Sequence, residues 1–151
     1  MRVVLQRVSR ASVRVEGELL GQIGAGFLLL AAAGTDDAPD EPERLARKIA
    51  GLRVFADDAG KMNRSIDEAG GSVLLISQFT LYADLRRGRR PSWTGSAEPA
   101  VAEERIEAFR QALEAEGLSV ATGRFGAHME VDLLNDGPVT LLLDGAELAA
   151  V

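Results

Sequence analysis

A chain of 151 residues with 46% hydrophobic and 26% charged side chains has the balance of one globular domain, spanning 1–151, with enough apolar content to bury a core. It contains no cysteine, which excludes disulfides, thiol catalysis and cysteine-bound metals and fits a reducing, cytoplasmic setting. No run approaches the ~18 apolar residues of a bilayer span, no signal-peptide pattern opens the chain, and a net charge of −6 argues against a general nucleic-acid coat protein.

Residues 2–15 alternate as a strand, which puts Val3, Leu5, Arg7, Ala11, Val13 and Val15 on one face. Arg7 then needs a partner, because a charge stranded among apolar neighbours is expensive; a bulge near Ser9 would change the phase. Glu16-Gly17-Glu18 reads as a tight hairpin turn, with residues 19–23 as the return strand. Gly24-Ala25-Gly26 turns again into a buried strand over 27–31, so an antiparallel meander is the simplest result. Asp40 and Pro42 mark a helix start, with Leu45, Ile49, Leu52 and Ala56 as its apolar stripe. Asp57-Asp58-Ala59-Gly60 closes that unit as a turn without the ligand spacing of a calcium loop.

Val73-Leu74-Leu75-Ile76 reads as a buried strand, and it delivers Ser77, Gln78 and Thr80 to its end. Unpaired polar groups there cost roughly 1–3 kcal/mol each. They either bond neighbouring backbone or serve a site. A loop over 84–96 follows, carrying Arg86-Arg87-Gly88-Arg89-Arg90, which is either a solvated basic loop or a phosphate-binding cluster. Pro99 opens a second helix with Ala102, Ile106, Phe109 and Leu113 as its stripe, and Gly117 stops it. Residues 118–122 and 127–134 read as strands, and Gly137-Pro138 turns the chain into a last strand over 139–143. Residues 144–151 form an Ala-rich tail with no readable role. Runs of strands with two amphipathic helices between them give an α+β fold.

The usual hydrolytic groups are scarce. The single histidine, His128, would alternate with Met129, Val131 and Leu133 and point away from any buried serine, which argues against a triad. His128, Glu130 and Asp132 would share a face, but same-face strand neighbours lie ~7 Å apart, too far to chelate easily. No phosphate-binding loop or dinucleotide fingerprint is present. Thr80 has no evident base to deprotonate it. A catalyst built from this chain must use backbone groups, hydroxyls and the substrate's own functional groups.

Ser77-Gln78-Phe79-Thr80-Leu81 and Asn135-Asp136-Gly137-Pro138-Val139-Thr140 together resemble the paired signature of the D-aminoacyl-tRNA deacylases. Leu5-Gln6-Arg7-Val8, Gly60-Lys61-Met62-Asn63, Arg90-Pro91-Ser92-Trp93 and Thr122-Gly123-Arg124-Phe125 resemble that family too, so the similarity runs from Met1 to about Leu143. It implies a barrel-like core of mainly antiparallel sheets with two amphipathic helices packed outside. The implied reaction is hydrolysis of the ester joining a D-amino acid to the 3′-terminal adenosine of tRNA. Such an ester is already activated, so the catalyst need only place water and stabilise an oxyanion.

The resemblance assigns the catalytic pocket to Ser77, Gln78, Phe79 and Thr80, with the N–H of Phe79 or Thr80 as oxyanion donor. Arg7, Met129, Gly137 and Pro138 are expected against the substrate, and Arg86, Arg87, Arg89 and Arg90 against the tRNA. Gly137–Pro138 is expected to be cis and to enter the partner's site in a two-fold homodimer. Its two parallel carbonyls would grip the ammonium while the turn excludes an L side chain. Glycyl-tRNA, with no side chain to exclude, is then also expected to be cleaved. The ribose 2′-hydroxyl is expected to help activate water, and no cofactor, metal or membrane partner is expected. The alternatives are an editing domain for one L-aminoacyl ester and a non-catalytic module that holds an RNA end.

Overall fold

A computed structural model describes residues 1–148; the end of the tail, 149–151, lies outside the described residues. Eight strands and two helices follow in chain order: β1 (Arg2–Val15), β2 (Glu18–Ile23), β3 (Gly26–Ala32), α1 (Glu41–Gly51), β4 (Phe55–Ala56), β5 (Met62–Arg64), β6 (Ser72–Ser77), α2 (Pro99–Ala115), β7 (Val120–Thr122) and β8 (Glu130–Asp144). The α+β architecture is as expected. Six strands make one sheet, in the order β2-β1-β3-β6-β7 with β8 paired to β1, and β4 and β5 form a separate hairpin.

β1 is the spine. Its pairing with β8 runs from Arg2 to Arg14, while its other edge is shared between β3 (through Val8) and β2 (from Ala11). Glu16 and Gly17 make the β1–β2 connection with both φ positive, 50° and 79°, the two-residue turn whose twist suits a hairpin. The expected meander ends at β3. β3–β6 and β6–β7 are parallel pairs, because a helix-bearing crossover lies in each connection. Both faces of these central strands are covered, so β6 reads as an unbroken apolar run.

Two cores result. On one side of the sheet, Val3, Leu5, Phe27, Leu29 and Leu75 pack with Leu45 and Ile49 of α1 and Phe109 and Leu113 of α2. On the other side, Val8, Ala11, Val13, Leu28, Leu74 and Ile76 form the inside of the curled sheet. β1 changes from the first core to the second between Leu5 and Val8, where its register with β8 slips. The phase change comes one residue before Ser9, and Arg7 is lifted out of the apolar face at that point. Gly21 lets the sheet curl: a Cβ there would sit 2.8 Å from the Thr122 carbonyl oxygen, so β2 can approach β7 only without a side chain and the barrel is nearly closed.

Three boundaries differ from expectation. α1 ends at Gly51 and Ala56 lies exposed in β4, since Phe55 packs on Phe27 with ring centroids 5.2 Å apart and draws the chain into the hairpin. β8 begins at Glu130 rather than 127, because a turn with the Ala127 N–H bonded to the Arg124 carbonyl comes first. Gly137-Pro138 is not a turn between two strands. β8 pairs with β1 on both sides of it, Thr140 opposite Gln6 and Asn135 opposite Val8, so residues 136–139 bulge out opposite Arg7 alone.

Candidate active site

Ser77 ends β6, in register with Ala31 of β3, and the Gln78 N–H donates to the Ala31 carbonyl at 2.8 Å. The chain then breaks into a single 3-10 turn, Phe79–Tyr82, with Gln78 at φ −144°. The first bond of the turn runs from the Leu81 N–H to the Gln78 carbonyl, 3.2 Å. The N–H groups of Phe79 and Thr80 precede that bond and so have no partner within the turn; among the described residues they donate to no other protein group. Two adjacent donors therefore stand open at the end of a buried strand.

Phe79, the first of the two, lines a cavity of about 650 Å³. The cavity is lined by Ile76, Ser77, Gln78 and Phe79 from the end of β6 and the turn, by Trp93, Ser96 and Pro99, and by Phe125, His128 and Met129. A second cavity of about 370 Å³ shares Ser77, Phe125 and Met129 with it and continues to Glu103, Glu107 and Arg110 on α2. Phe79, 55% exposed, meets Trp93 edge to face with centroids 5.1 Å apart, so two aromatic rings border the mouth. Of the predicted pocket residues, Ser77, Gln78, Phe79 and Met129 are brought together. Thr80 is not on the wall; its hydroxyl accepts a hydrogen bond from Gln78 Nε2, which fixes the amide's direction.

His128 is exposed, as a solvated position was expected to be, but it lies in a loop rather than on a strand and lines this cavity. The cause is the delayed start of β8, which leaves residues 126–129 as a loop folded over the opening. Asp132 is paired to Arg10 at 2.8 Å, and no cluster of three or more His, Asp or Glu residues is placed to hold a metal among the described residues. Phe125, His128 and Ser96 carried no role in the sequence reading. The only signal for Phe125 was its place in the Thr122–Phe125 motif.

The second predicted group lies elsewhere. Arg7 points its guanidinium at the bulge, donating from Nε and Nη2 to the Asp136 carbonyl at 3.1 and 2.9 Å and from Nη1 to the Val54 carbonyl. Its side chain is only 14% exposed, so it has found the partner that its strand position demanded. Asn135 Nδ2 donates to the Arg7 carbonyl at 2.8 Å and the Val139 carbonyl at 3.3 Å, tying the two ends of the bulge. Arg7, Gly137 and Pro138 are not on the wall of the Gln78 cavity. The expected cis form of Gly137–Pro138 is not adopted: no peptide bond among the described residues is cis. Trans is the default for X–Pro, with only about 5–6% cis in folded proteins. Here Gly137, at φ 67°, makes the reversal itself. The parallel-carbonyl grip expected of a cis peptide is withdrawn with it.

The arginine loop is a small hairpin closed by Asp84 and Ser92, which exchange backbone hydrogen bonds of 2.8 and 3.0 Å. Arg86 folds back onto the Asp84 carboxylate through Nε and Nη2, at 2.9 and 2.7 Å. Those bonds hold the Asp84 carboxyl down to about 2. Arg87, Arg89 and Arg90 are exposed and make no ion pair among the described residues. Three of the four predicted phosphate-binding arginines are thus uncommitted, and the fourth is held in the loop.

A family profile described as D-Tyr-tRNA(Tyr) deacylase matches residues 4–144. A protein of Symbiobacterium thermophilum named D-aminoacyl-tRNA deacylase is 57% identical over 144 residues, covering 95% of each chain. A solved structure titled c-Myc DNA Unwinding Element Binding Protein superposes with a TM-score of 0.88 at 38% identity, over 95% of this chain and 98% of that one. Another, titled as a probable eukaryotic D-amino acid tRNA deacylase, shares the fold with a TM-score of 0.79 at 18% identity, over 94% and 97%.

Proposed function

The chain belongs to the D-Tyr-tRNA(Tyr) deacylase family, and from that premise we propose how its cavity hydrolyses the ester of a D-aminoacyl-tRNA. The reaction class is that of a hydrolase on aminoacyl-tRNA ester bonds. The observation that carries the reading is the pair of open N–H donors on Phe79, which lines the Gln78 cavity, and on Thr80, the next residue. Water adds to the ester carbonyl carbon, the oxyanion is held by the Phe79 N–H and, beside it, the Thr80 N–H, and the bond to the ribose 3′-oxygen breaks with a proton passing to that oxygen. Free D-amino acid and uncharged tRNA leave. Preorganised donors of this kind typically contribute 10²–10³-fold each.

Ser77 forms the floor, Gln78 is oriented by Thr80 toward the ester, and Met129 lies against the adenosine. The Ser77 and Thr80 hydroxyls have no side-chain base hydrogen-bonded to them among the described residues, which supports activation of water by the ribose 2′-hydroxyl. The three uncommitted arginines of the 86–90 loop meet acceptor-stem phosphates, with Trp93 joining that loop to the cavity mouth. On this reading the protein works where tRNA is charged, in the cytoplasm.

Chiral rejection belongs, in this reading, to a second copy of the chain. Within one chain the bulge of residues 136–139 does not line the cavity, yet it is held in a fixed shape by Arg7 and Asn135. Leu134 and Leu142, 50% and 83% exposed, flank it on β8, an apolar surface suited to a two-fold interface. A partner's Gly137-Pro138 entering the Gln78 cavity in its trans form blocks an L side chain and leaves D-aminoacyl and glycyl esters free to react.

Deacylation of D-tyrosyl-, L-tyrosyl- and glycyl-tRNA, run in parallel, tests the reading. Cleavage of the D and glycyl esters with the L ester spared is expected. Equal rates on the two enantiomers remove the chiral gate, exclusive L cleavage favours an editing domain, and binding without hydrolysis favours an RNA-end module.

A further inference from the structure

We propose that Tyr82 is a positioning residue for this reaction: its ring sets the angle at which the Phe79–Tyr82 turn offers the Phe79 and Thr80 N–H groups to the ester. The inference rests on the reading that hydrolysis takes place at this turn.

The turn needs an external anchor because it has little of its own. None of its four residues is buried, and at its start only the Gln78 N–H ties it to the sheet. One backbone bond at one end leaves a hinge. The opposite end is fixed through Tyr82. Gly34 lies against the ring so closely that a Cβ would stand 2.6 Å from both Cζ and Oη, and Gly95 also packs on it, with its Cβ position 3.5 Å from Cδ1. Gly34 and Ser96 are bridged, and the Thr35 N–H donates to the Gly95 carbonyl at 3.1 Å, so the two glycine segments are bound to each other around the ring. The segment bearing Gly95 also carries Trp93 and Ser96 into the cavity wall. One ring therefore references both the donor turn and the wall facing it.

Arg2 completes the seat. Its guanidinium lies 4.5 Å from the Tyr82 ring centroid, a cation–π contact, and Nη1 donates to the Leu81 carbonyl within the turn at 3.2 Å. The phenol donates to Asp37 Oδ1 at 3.3 Å, and Asp37 also receives the Met1 amino group at 2.6 Å and the Gly34 N–H at 2.8 Å. Burial, then the neighbouring Asp37 carboxylate, push the phenol's pKa far up, so it stays a donor. Ring packing, not ionisation, is what Tyr82 supplies.

The chain holds one tryptophan, Trp93, and it touches Phe79 of the turn. Its fluorescence reports the turn's position independently of activity. Three variants, checked by circular dichroism for fold, decide the matter: Tyr82→Ala removes the ring, Tyr82→Phe keeps it without the phenol bond, and Gly34→Ala pushes the ring without deleting any group near the cavity. Misplacing a donor by about 1 Å costs on the order of 10²-fold. Tyr82→Ala and Gly34→Ala are expected to lower kcat on D-tyrosyl-tRNA by about that factor with KM nearly unchanged, and to shift Trp93 emission. Tyr82→Phe is expected to restore most of kcat and the wild-type spectrum. Folded Tyr82→Ala with wild-type kcat and emission overturns the proposal, as does a loss confined to KM. Should Tyr82→Ala and Gly34→Ala not fold, Arg2→Ala decides: Arg2 is half exposed, and an unchanged kcat there overturns the proposal while a several-fold fall with constant KM supports it. If the wild type cleaves no aminoacyl ester, the functional reading fails, and the Trp93 spectra still report whether Tyr82 sets the turn.

Discussion

The Phe79–Tyr82 turn and the bulge of residues 136–139 are both breaks in the sheet, but they are held in different ways. The turn is held at both ends by groups elsewhere in its own chain: buried β6 delivers it, the Ala31 carbonyl fixes its start, and Tyr82, seated against Gly34 and Gly95, fixes its end. The bulge is held from below by a guanidinium and an amide, and its Asp136, Gly137 and Pro138 are exposed. A turn secured that way can serve chemistry within one protomer. A bulge secured only at its base is a shaped projection, and its rigidity has a use only if something docks on it. The contrast separates bond breaking from enantiomer choice, and variants in the two places are expected to fail differently.

The largest effect is expected at the turn. Gln78→Ala deletes a cavity side chain oriented by Thr80, and kcat on D-tyrosyl-tRNA is expected to fall about 10²-fold or more. Thr80→Ala keeps its backbone N–H and is expected to cost less than about tenfold. Single-turnover kinetics measure both. A Thr80→Ala loss equal to that of Gln78→Ala, or an acyl group trapped on Thr80 in mass spectra, makes Thr80 a nucleophile and ends the backbone-donor account.

The bulge comes next. Arg7→Ala strands the Asp136 and Val54 carbonyls and is expected to cost about 2–3 kcal/mol in urea unfolding, as charged hydrogen bonds lost from a largely buried group do. Pro138→Ala leaves stability nearly intact because the proline is exposed. Both are expected to raise cleavage of L-tyrosyl-tRNA relative to D, and Pro138→Ala is the cleaner test because it does so without unfolding anything. An unchanged ratio in both variants shows that the bulge has no part in the choice.

The sequence made the turn legible and the bulge only half so. Val73–Ile76 followed by Ser77 and Gln78 can end only as a buried strand delivering polar groups, and both β6 and the cavity conform. Alternation along β1 gave Val3 and Leu5 correctly, and the phase change came within a residue of where a bulge was expected. Asn135-Asp136-Gly137-Pro138, however, carries the same local signal whether the chain reverses or bulges. Only pairing with β1, some 130 residues away in sequence, makes it a bulge. His128 was misplaced for a related reason: period-two alternation over 127–134 continues through a loop that happens to keep the pattern. Tyr82 was invisible because its importance lies in two glycines, Gly34 and Gly95, distant from it in sequence.

A smaller effect is expected in the arginine loop, which lies beyond the turn and feeds the cavity mouth. Arg87→Ala, Arg89→Ala and Arg90→Ala are each expected to reduce the slope of log affinity for tRNA against log salt by about one unit, one counterion released per phosphate contact. Arg86→Ala is expected to change it less, since Arg86 is committed to Asp84. Equal slopes for all four variants show that the Asp84–Arg86 pair opens when tRNA binds.

The smallest effect concerns that pair itself. Asp84 accepts side-chain hydrogen bonds from Arg86 and a further bond from the Arg86 N–H, which lower its carboxyl from the usual 3.8 to about 2. A depressed acid favours the folded loop only while it is ionised. Its contribution is therefore full above pH 3.8 and is lost as pH falls from 3.8 through 2. Because Arg86 is exposed and Asp84 partly so, solvent screens the pair and the rest of the fold is expected to be indifferent to its loss. The Asp84 carboxyl carbon, followed by NMR, is expected to titrate near 2, and Arg86→Ala to return it toward 3.8. A wild-type midpoint already at the ordinary value means that Arg86 is not held in solution, and all four arginines then face the tRNA alike. That result also removes the distinction between Arg86 and its neighbours in the salt slopes, whereas equal slopes beside a midpoint near 2 mean that the pair forms in the free protein and opens on the tRNA.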